Sequence, residues 1–489
     1  MAGLMLPATP ALATAKTTTA RTTSAKPAPA KTTIPTKSSR LAAVKAAKAI
    51  NYYPSTAGWS KMWSSFDATK VDADFAKAQA LGATSVRAIV FPTTFGYPTP
   101  NPTYTAKLDT FVKLANTHGM TVNLTLFDWW DAYAELDESK AWATSLLKPY
   151  KDDPRITGVE LQNEIIPTDT AAMTWARAMI PAVRTAFPTM PLTLSAVGED
   201  GPAGLAKIKS ALGSVSLDYY DYHFYGNAER ALATIRQAQA AVAPAPIVIG
   251  ETGMNTLENT EGEQAAFLAR VFEAAKAAGV NSVSPWTLND FTTDAIPASI
   301  VAGLDTQYNY GLYRTNGVAK PAAAVVKAEF TGTAMPASLT DNGFENATGQ
   351  TPWRQYAPEL GMATKTTTAA HTGTWSVSLS NTGKTSADTP SYRVAPIQPV
   401  QPGQKWHGEV WAKGNATTGT TQIAISWFDI NDRWLGGADS TALPTGTTDW
   451  TKLTVDSVAP AGTASMQIHL KSGANTGTVW FDDVVIGQA

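Results

Sequence analysis

The chain has 489 residues, enough for two folded domains, and its 44% hydrophobic content argues for globular cores rather than a disordered chain. A formal charge of −2 gives no electrostatic reason to expect nucleic acid or an acidic membrane as a partner, and the absence of cysteine excludes disulfides, thiolate metal sites and a cysteine nucleophile. Fifteen Trp beside only 16% charged residues suit ligands that are neutral, flat-faced and hydroxylated, as sugars are, although most of the indoles are expected in cores.

Residues 1–45 form a low-complexity tract of Ala, Thr, Pro, Ser and Lys, and the first acidic residue of the protein is Asp67. Such a tract buries too little apolar surface to offset its ordering entropy, so it is expected to be disordered. It opens on a short apolar run followed by Ala11-Leu12-Ala13, a small-residue pattern like that of a secretory cleavage site but with no basic stretch before it. Export to the cell exterior or envelope is the resulting expectation. No stretch reaches the roughly 18 apolar residues that a membrane helix needs.

From 46 to 332, short apolar runs at 49–53, 85–91, 121–127, 158–161, 191–197, 217–224, 247–250 and 282–286 alternate with amphipathic stretches such as 71–81, 104–118, 170–187 and 261–278. Eight strand-like runs separated by helix-like ones predict an α/β domain closed as a (β/α)8 TIM barrel. A doubly wound open sheet is the alternative, but no Gly-rich phosphate loop follows the first run. After residues 331–336 the helical periodicity ends and Thr, Ser, Gly and Trp dominate. Runs at 375–379, 405–412, 421–428, 465–470 and 479–486 then alternate like half-buried strands, so 337–489 is expected to be a separate all-β sandwich.

In a barrel of this kind, chemistry lies at the carboxyl ends of the strands. There the chain offers Val86-Arg87, then Glu160-Leu161-Gln162-Asn163-Glu164, Tyr222-His223-Phe224-Tyr225, Gly250-Glu251 and Pro285-Trp286. Glu164 and Glu251 arrive at the mouth from the fourth and seventh runs, on opposite sides. Glycoside hydrolysis needs such a pair, one acid to protonate the leaving oxygen and one carboxylate to meet the oxocarbenium-like carbon. Trp129 and Trp130 follow the third run, where either could stack on a sugar or pack beneath its loop. Asp128 beside them could bind hydroxyls or cap a helix.

On these residues the barrel region resembles the clan-A glycoside hydrolases, most closely the family 5 cellulase and mannanase group. Ile50-Asn51-Tyr52-Tyr53-Pro54 is similar to that group's first strand and Leu81-Gly82-Ala83-Thr84-Ser85-Val86-Arg87 to its second. The resemblance implies a retaining hydrolase of a β-linked polysaccharide or oligosaccharide, with Glu164 as acid/base and Glu251 as nucleophile. It implies that Arg87 and Tyr225 hydrogen-bond near Glu251, that Asn163 binds the sugar 2-hydroxyl, and that His223 lines the site beside the acid/base. Trp286 would form the floor of the −1 subsite, with Trp129 and Asp128 as further substrate-binding candidates. Retaining chemistry predicts carboxyl groups about 5–5.5 Å apart. Two positions depart from the family pattern: Ile165 stands where Pro usually follows Asn-Glu, and Phe127-Asp128-Trp129-Trp130 stands where a His is usual. Neither histidine of this region, His118 or His223, has a partner at metal-ligand spacing, so no catalytic metal or cofactor is expected.

The last region opens Asp341-Asn342-Gly343-Phe344-Glu345 and closes Trp480-Phe481-Asp482-Asp483-Val484, a pairing that resembles the carbohydrate-binding jelly rolls of the family 4, 9 and 22 type. In that group a structural Ca²⁺ often uses acids from the first and last strands, which makes Glu345 and Asp482 candidates; two solvated acids are the plain alternative. Trp353, Trp406, Trp411, Trp427 and Trp434 are candidate stacking residues, some of which strand alternation must assign to the core. The expected protein is a secreted, monomeric, endo-acting hydrolase of a β-glucan or β-mannan, its attached module raising local concentration on the polymer. A non-catalytic glycan-binding or cell-wall protein, and an exo-acting β-glycosidase on a microbial cell-wall glycan, are the alternatives.

Overall fold

The computed structural model describes residues 34–301 and 304–489. Eight parallel strands follow one another: β1 (Ala49–Asn51), β2 (Ser85–Ile89), β3 (Thr121–Phe127), β4 (Ile156–Gln162), β5 (Leu192–Thr193), β6 (Tyr220–Phe224), β7 (Ile247–Thr252) and β8 (Val283–Pro285). β1 to β5 form one ladder and β6 to β8 a second. A parallel bridge between Ser195 and Asp221 joins the ladders, and Leu288 N donates to Asn51 O at 3.1 Å where the end of β8 meets β1. The order advances one strand at a time without the reversal that a doubly wound sheet requires.

The helices between the strands start where side chains can take up free backbone N–H groups. Asp67 caps helix Ala68–Ala80, Asp169 caps Thr170–Ala186, and Thr260 with Glu263 forms a capping box on Glu261–Ala277. Every residue of β2, β4, β6 and β7 is buried, as strands are when helices cover one face and the interior takes the other.

The tract expected to be disordered through residue 45 needs correction at its end, because Lys37–Ala46 is a helix. Thr36 and Ser39 form a capping box, and Val44 packs with Tyr219 and Val248 under the strands. Buried Arg40 donates from Nη2 to Lys151 O and Asp153 O, each at 3.0 Å, and from Nη1 to Met190 Sδ at 3.0 Å. These tertiary contacts, rather than composition, stabilise a helix too short to persist alone. The earlier part of the tract, with Ala11-Leu12-Ala13, lies outside the described residues.

The C-terminal region is all-β: β9 (Arg354–Tyr356), β10 (Ala363–Thr366), β11 (Ser376–Thr382), β12 (Ser391–Val394), β13 (Lys405–Thr417), β14 (Thr420–Phe428), β15 (Trp434–Asp439), β16 (Gly446–Val458), β17 (Ser465–Gly473) and β18 (Asn475–Gln488). They form two antiparallel sheets, ordered β10-β11-β18-β13-β16 and β15-β14-β17-β12-β9. Along β13 burial alternates nearly residue by residue, and Trp406, Val410, Ile425, Trp427, Ile468 and Phe481 make the core. This region packs on helix Glu261–Ala277. Arg270 Nη2 donates to Ala395 O at 2.6 Å, and Gly262 lies so close that a Cβ there would fall 2.3 Å from Gln350 O.

Candidate active site

Strand alternation turns a series of polar side chains into the interior. Asn51 of β1, Arg87 of β2, Thr125 of β3, Glu160 of β4, and Asp221 and His223 of β6 are all buried, as is Ser195 just after β5. Their neighbours Val86, Leu124, Val159, Leu194, Tyr222 and Phe224 join the apolar core instead. Gly250 makes room in this interior, since a Cβ there would come 2.0 Å from Asp221 Oδ1. A register shift in the β6–β7 ladder, between Asp221 and His223, then brings Glu251 opposite His223.

Arg87 is the hub. Its Nη1 donates to Glu251 Oε1 at 2.6 Å and to Asn51 Oδ1 at 3.1 Å, and its Nη2 donates to Glu160 Oε2 at 2.6 Å and to Asn163 Oδ1 at 2.7 Å. Burial disfavours its charge, but Glu160, Glu251 and Asp221 outweigh burial and hold the guanidinium protonated. Burial also works against charge on Glu160, yet Arg87, His223 and the Ser195 and Thr125 hydroxyls hold that carboxyl below its usual range.

Glu164 follows β4 in the left-handed region, at φ 45°. Its N–H donates to Ser195 Oγ at 2.8 Å, and Ser195 Oγ in turn donates to Glu160 Oε1 at 2.5 Å, so a hydroxyl ties the Glu164 backbone to the buried carboxylate. The Glu164 carboxyl is about one-third exposed and its Oε1 lies 2.9 Å from His223 Nδ1. Glu251 is nearly buried and receives the Tyr225 hydroxyl on Oε2 at 2.8 Å. One carboxylate oxygen of Glu164, one of Glu251 and a ring nitrogen of His223 all lie within 4.8 Å of one another. Burial opposes charge on His223, but Glu251, Glu164 and Asp221 raise it to about 9. The neighbouring group Glu160, Asp221 and His223 is similarly close, and there Arg87 supplies the positive charge.

Asn163 is clamped, accepting from Arg87 and donating from Nδ2 to Asp128 Oδ1 at 3.1 Å. Asp128 caps no helix. Its Oδ2 has no protein partner, and burial pushes its carboxyl to about 7 against the Asn163 bond. Trp130 packs on Tyr97 at 4.6 Å between ring centroids, whereas Trp129 is 63% exposed. Trp286 is buried in an aromatic wall with Tyr53 and Trp59, at 5.9 and 5.8 Å. Arg87, Asp128, Asn163, Glu164, His223, Tyr225 and Glu251, all expected from sequence, are thus linked in one network, with Trp286 in the aromatic wall and Trp129 exposed next to Asp128 in the chain.

Sequence reasoning gave no role to Asn51, Thr125, Glu160, Ser195 or Asp221. A signal existed for the acids. Glu160 lies in Val159-Glu160-Leu161 and Asp221 in Tyr220-Asp221-Tyr222, and a carboxyl inside a strand buried on both faces needs a partner or a proton.

In the C-terminal domain Trp353, Trp406 and Trp427 are core, Trp411 is half-buried against His371, and Trp434 is 63% exposed. Glu345 Oε1 accepts from Thr374 N and Trp375 N, each at 2.8 Å, and Asp482 Oδ2 accepts from His371 N at 2.7 Å. Asp482 Oδ1 takes the Asp483 N–H at 2.8 Å. These oxygens fasten the turn around residue 373 by accepting N–H groups.

A proton donor and a carboxylate facing one another at the ends of parallel strands, with aromatic walls for a sugar ring, are what a glycoside hydrolase requires. The chain belongs to glycosyl hydrolase family 5. Residues 45–292 match the family model described as Cellulase (glycosyl hydrolase family 5), a family of TIM-barrel enzymes, and residues 336–477 match a carbohydrate binding domain. The fold is similar to that of a GH5_18 variant from Streptomyces cattleya in complex with Manb1-4GlcNAc, at 20% identity and TM-score 0.50, covering 59% of this chain and 82% of that one. It is also similar to GH5_18 from the same organism in complex with GlcNAc, at 19% identity and TM-score 0.51, covering 60% and 82%. No curated protein sequence matches the chain. The substrate is a glycan, and among the described residues no helix is long and apolar enough to cross a membrane.

Proposed function

We propose that this glycoside hydrolase cleaves β-glycosidic bonds with retention, Glu251 acting as nucleophile and Glu164 as acid/base. The observation that carries the reading is the approach of one oxygen of Glu164, one of Glu251 and a nitrogen of His223 to within 4.8 Å of each other. That spacing suits direct attack on the sugar, whereas an inverting pair stands about 6.5–9.5 Å apart to admit water. In the first step a Glu251 oxygen bonds to the anomeric carbon, the glycosidic C–O bond breaks, and the proton of Glu164 passes to the leaving oxygen. Oε1 of Glu164 faces His223, which leaves Oε2 to carry that proton. In the second step Glu164 takes a proton from water, the water oxygen bonds to the anomeric carbon, and the ester bond to Glu251 breaks. Arg87 and Tyr225 meet the charge of Glu251 before attack and after release.

The eight strands with their closing bonds fit a (β/α)8 barrel, and the two antiparallel sheets fit a jelly roll. We read the action as internal cleavage of a β-glucan or β-mannan type polymer, on the strength of the carbohydrate binding domain, and the protein as exported, on the strength of Ala11-Leu12-Ala13. Exo action is the second reading. The ligands named for the Streptomyces cattleya structures bring β-1,4-linked mannose on GlcNAc among the substrates to try.

The test is hydrolysis of β-glucans, β-mannans and aryl β-glycosides by wild type, Glu164→Gln and Glu251→Gln, with NMR of the first anomer released. Retention is expected, with activity falling by about 10²–10⁴-fold or more in each variant. An inverted first product, or a variant with near wild-type turnover, would refute the assignment.

A further inference from the structure

A cavity of about 400 Å³ opens between the two domains and meets the active site at Tyr225. Tyr225, whose hydroxyl holds Glu251, forms part of its wall. Across from it stand side chains of the antiparallel domain: Arg354 of β9, Arg393 of β12, Phe428 at the end of β14 and Gln467 of β17. These groups are pre-arranged. Arg393 lies over the Tyr356 ring at 4.9 Å and donates to Gln467 Oε1 at 2.7 Å, and Gln467 Nε2 donates across the domain boundary to Glu229 Oε2 at 2.9 Å.

The lining specifies the chemistry. Three arginines (Arg270, Arg354, Arg393) face three acids (Glu229, Glu263, Asp432), so the cavity carries no net charge to attract an anion or a cation. It presents planar hydrogen-bonding groups fixed by neighbours, together with the half-buried ring of Phe428. An uncharged ring with an apolar face and many hydroxyls satisfies both features, and the volume is within the about 300–1,000 Å³ usual for a ligand site.

We propose that this interdomain cavity is a glycan subsite, occupied by an uncharged pyranose of the same chain whose scissile bond lies between Glu164 and Glu251. The antiparallel domain is then one wall of the substrate cleft, and Tyr225 joins the subsite to the reacting pair. The proposal rests on the reading of the chain as a glycan hydrolase and adds where the chain runs.

The experiment compares the full-length wild type with Phe428→Ala and Arg393→Ala, neither of which touches the two glutamates. The probes are p-nitrophenyl β-mannoside and β-glucoside, and β-1,4-linked manno- and cello-oligosaccharides from disaccharide to hexasaccharide. KM for the longer oligosaccharides is expected to rise roughly tenfold in each variant, as loss of one stacking or planar contact gives, with aryl-glycoside kinetics and kcat unchanged. Long-chain KM values equal to wild type in both variants would overturn the subsite. A fall in kcat on aryl glycosides together with a lower melting temperature would also overturn it, since the residues would then act only on domain packing. If the wild type cuts none of these probes, catalysis on them fails as a separate matter, and calorimetric titration of the same oligosaccharides decides. Weaker binding in both variants upholds the subsite; equal binding, or none, refutes it.

Discussion

Ser195→Ala tests whether the backbone of Glu164 is held in place from below. The Ser195 hydroxyl accepts the Glu164 N–H at 2.8 Å and donates to buried Glu160 at 2.5 Å, while Glu164 itself is left-handed at φ 45°. A neutral hydrogen bond contributes about 0.5–1.5 kcal/mol and one to a charged group about 1.5–3 kcal/mol, so the variant should lose about 2–4 kcal/mol. Glu160 keeps Thr125 and both Arg87 contacts, and the Ser195 carbonyl still accepts Ile165 N at 3.0 Å, which caps the loss at the upper end of that range. Against a net stability of about 5–15 kcal/mol this is a visible fraction, equivalent to a fall of about 3–7 °C in the melting temperature of a barrel this size.

Activity should fall further than stability alone dictates. Without its acceptor the Glu164 peptide can relax from a conformation that costs about 1–2 kcal/mol, and it carries the carboxyl with it. A displacement near 1 Å can cost about 10²-fold, so kcat on an aryl glycoside should drop about 10- to 100-fold at temperatures where the variant is still folded. Calorimetric melting and steady-state kinetics check both figures, with Ser195→Thr as the hydroxyl-retaining control. If Ser195→Ala melts with the wild type and turns over within twofold of it, the reasoning fails.

Two further outcomes follow from the same interior. Burial raises the Asp128 carboxyl to about 7, so its effect on stability is neutral below its unfolded value near 4 and becomes a loss as pH rises through about 7. Asp128→Asn removes that loss: its melting temperature relative to wild type should improve between about pH 4 and pH 7, and a difference independent of pH would refute the argument. Arg40→Ala should lower stability by about 1–3 kcal/mol, because the part-buried carbonyls of Lys151 and Asp153 lose the donor that fixes helix Lys37–Ala46 beneath the strands. Urea unfolding with an unchanged midpoint would show that the helix contributes nothing.

The eight parallel strands were legible because each is a short apolar run, and because helix starts such as Asp67, Asp169 and Thr260 with Glu263 carry their caps in plain view. Glu164 and Glu251 were legible as polar residues ending such runs. Helix Lys37–Ala46 was not, since its Ala, Lys and Ser composition continues that of the preceding tract, and its ties to the rest of the protein run through Lys37, Arg40, Leu41 and Val44. The division of labour between Trp129 and Trp130 depends on one residue at φ 54°, which no periodicity encodes.

Asn51, Thr125 and Ser195 were the least legible part of the interior polar cluster, because they come from separate strands and each looks unremarkable in its own run. Electrostatics explains why the charged members of the cluster belong together. Burial disfavours charge on Arg87 and Glu160, their mutual pairing outweighs it, and burial pushes Asp128 and Asp221 up to about 7. In the proposed mechanism, esterification of Glu251 removes the carboxylate that Arg87 Nη1 and the Tyr225 hydroxyl hold, and its release restores both contacts. Arg87 meanwhile keeps its bonds to Glu160 and Asn163, so in that reading the residues around Glu164 stay fixed while Glu251 reacts.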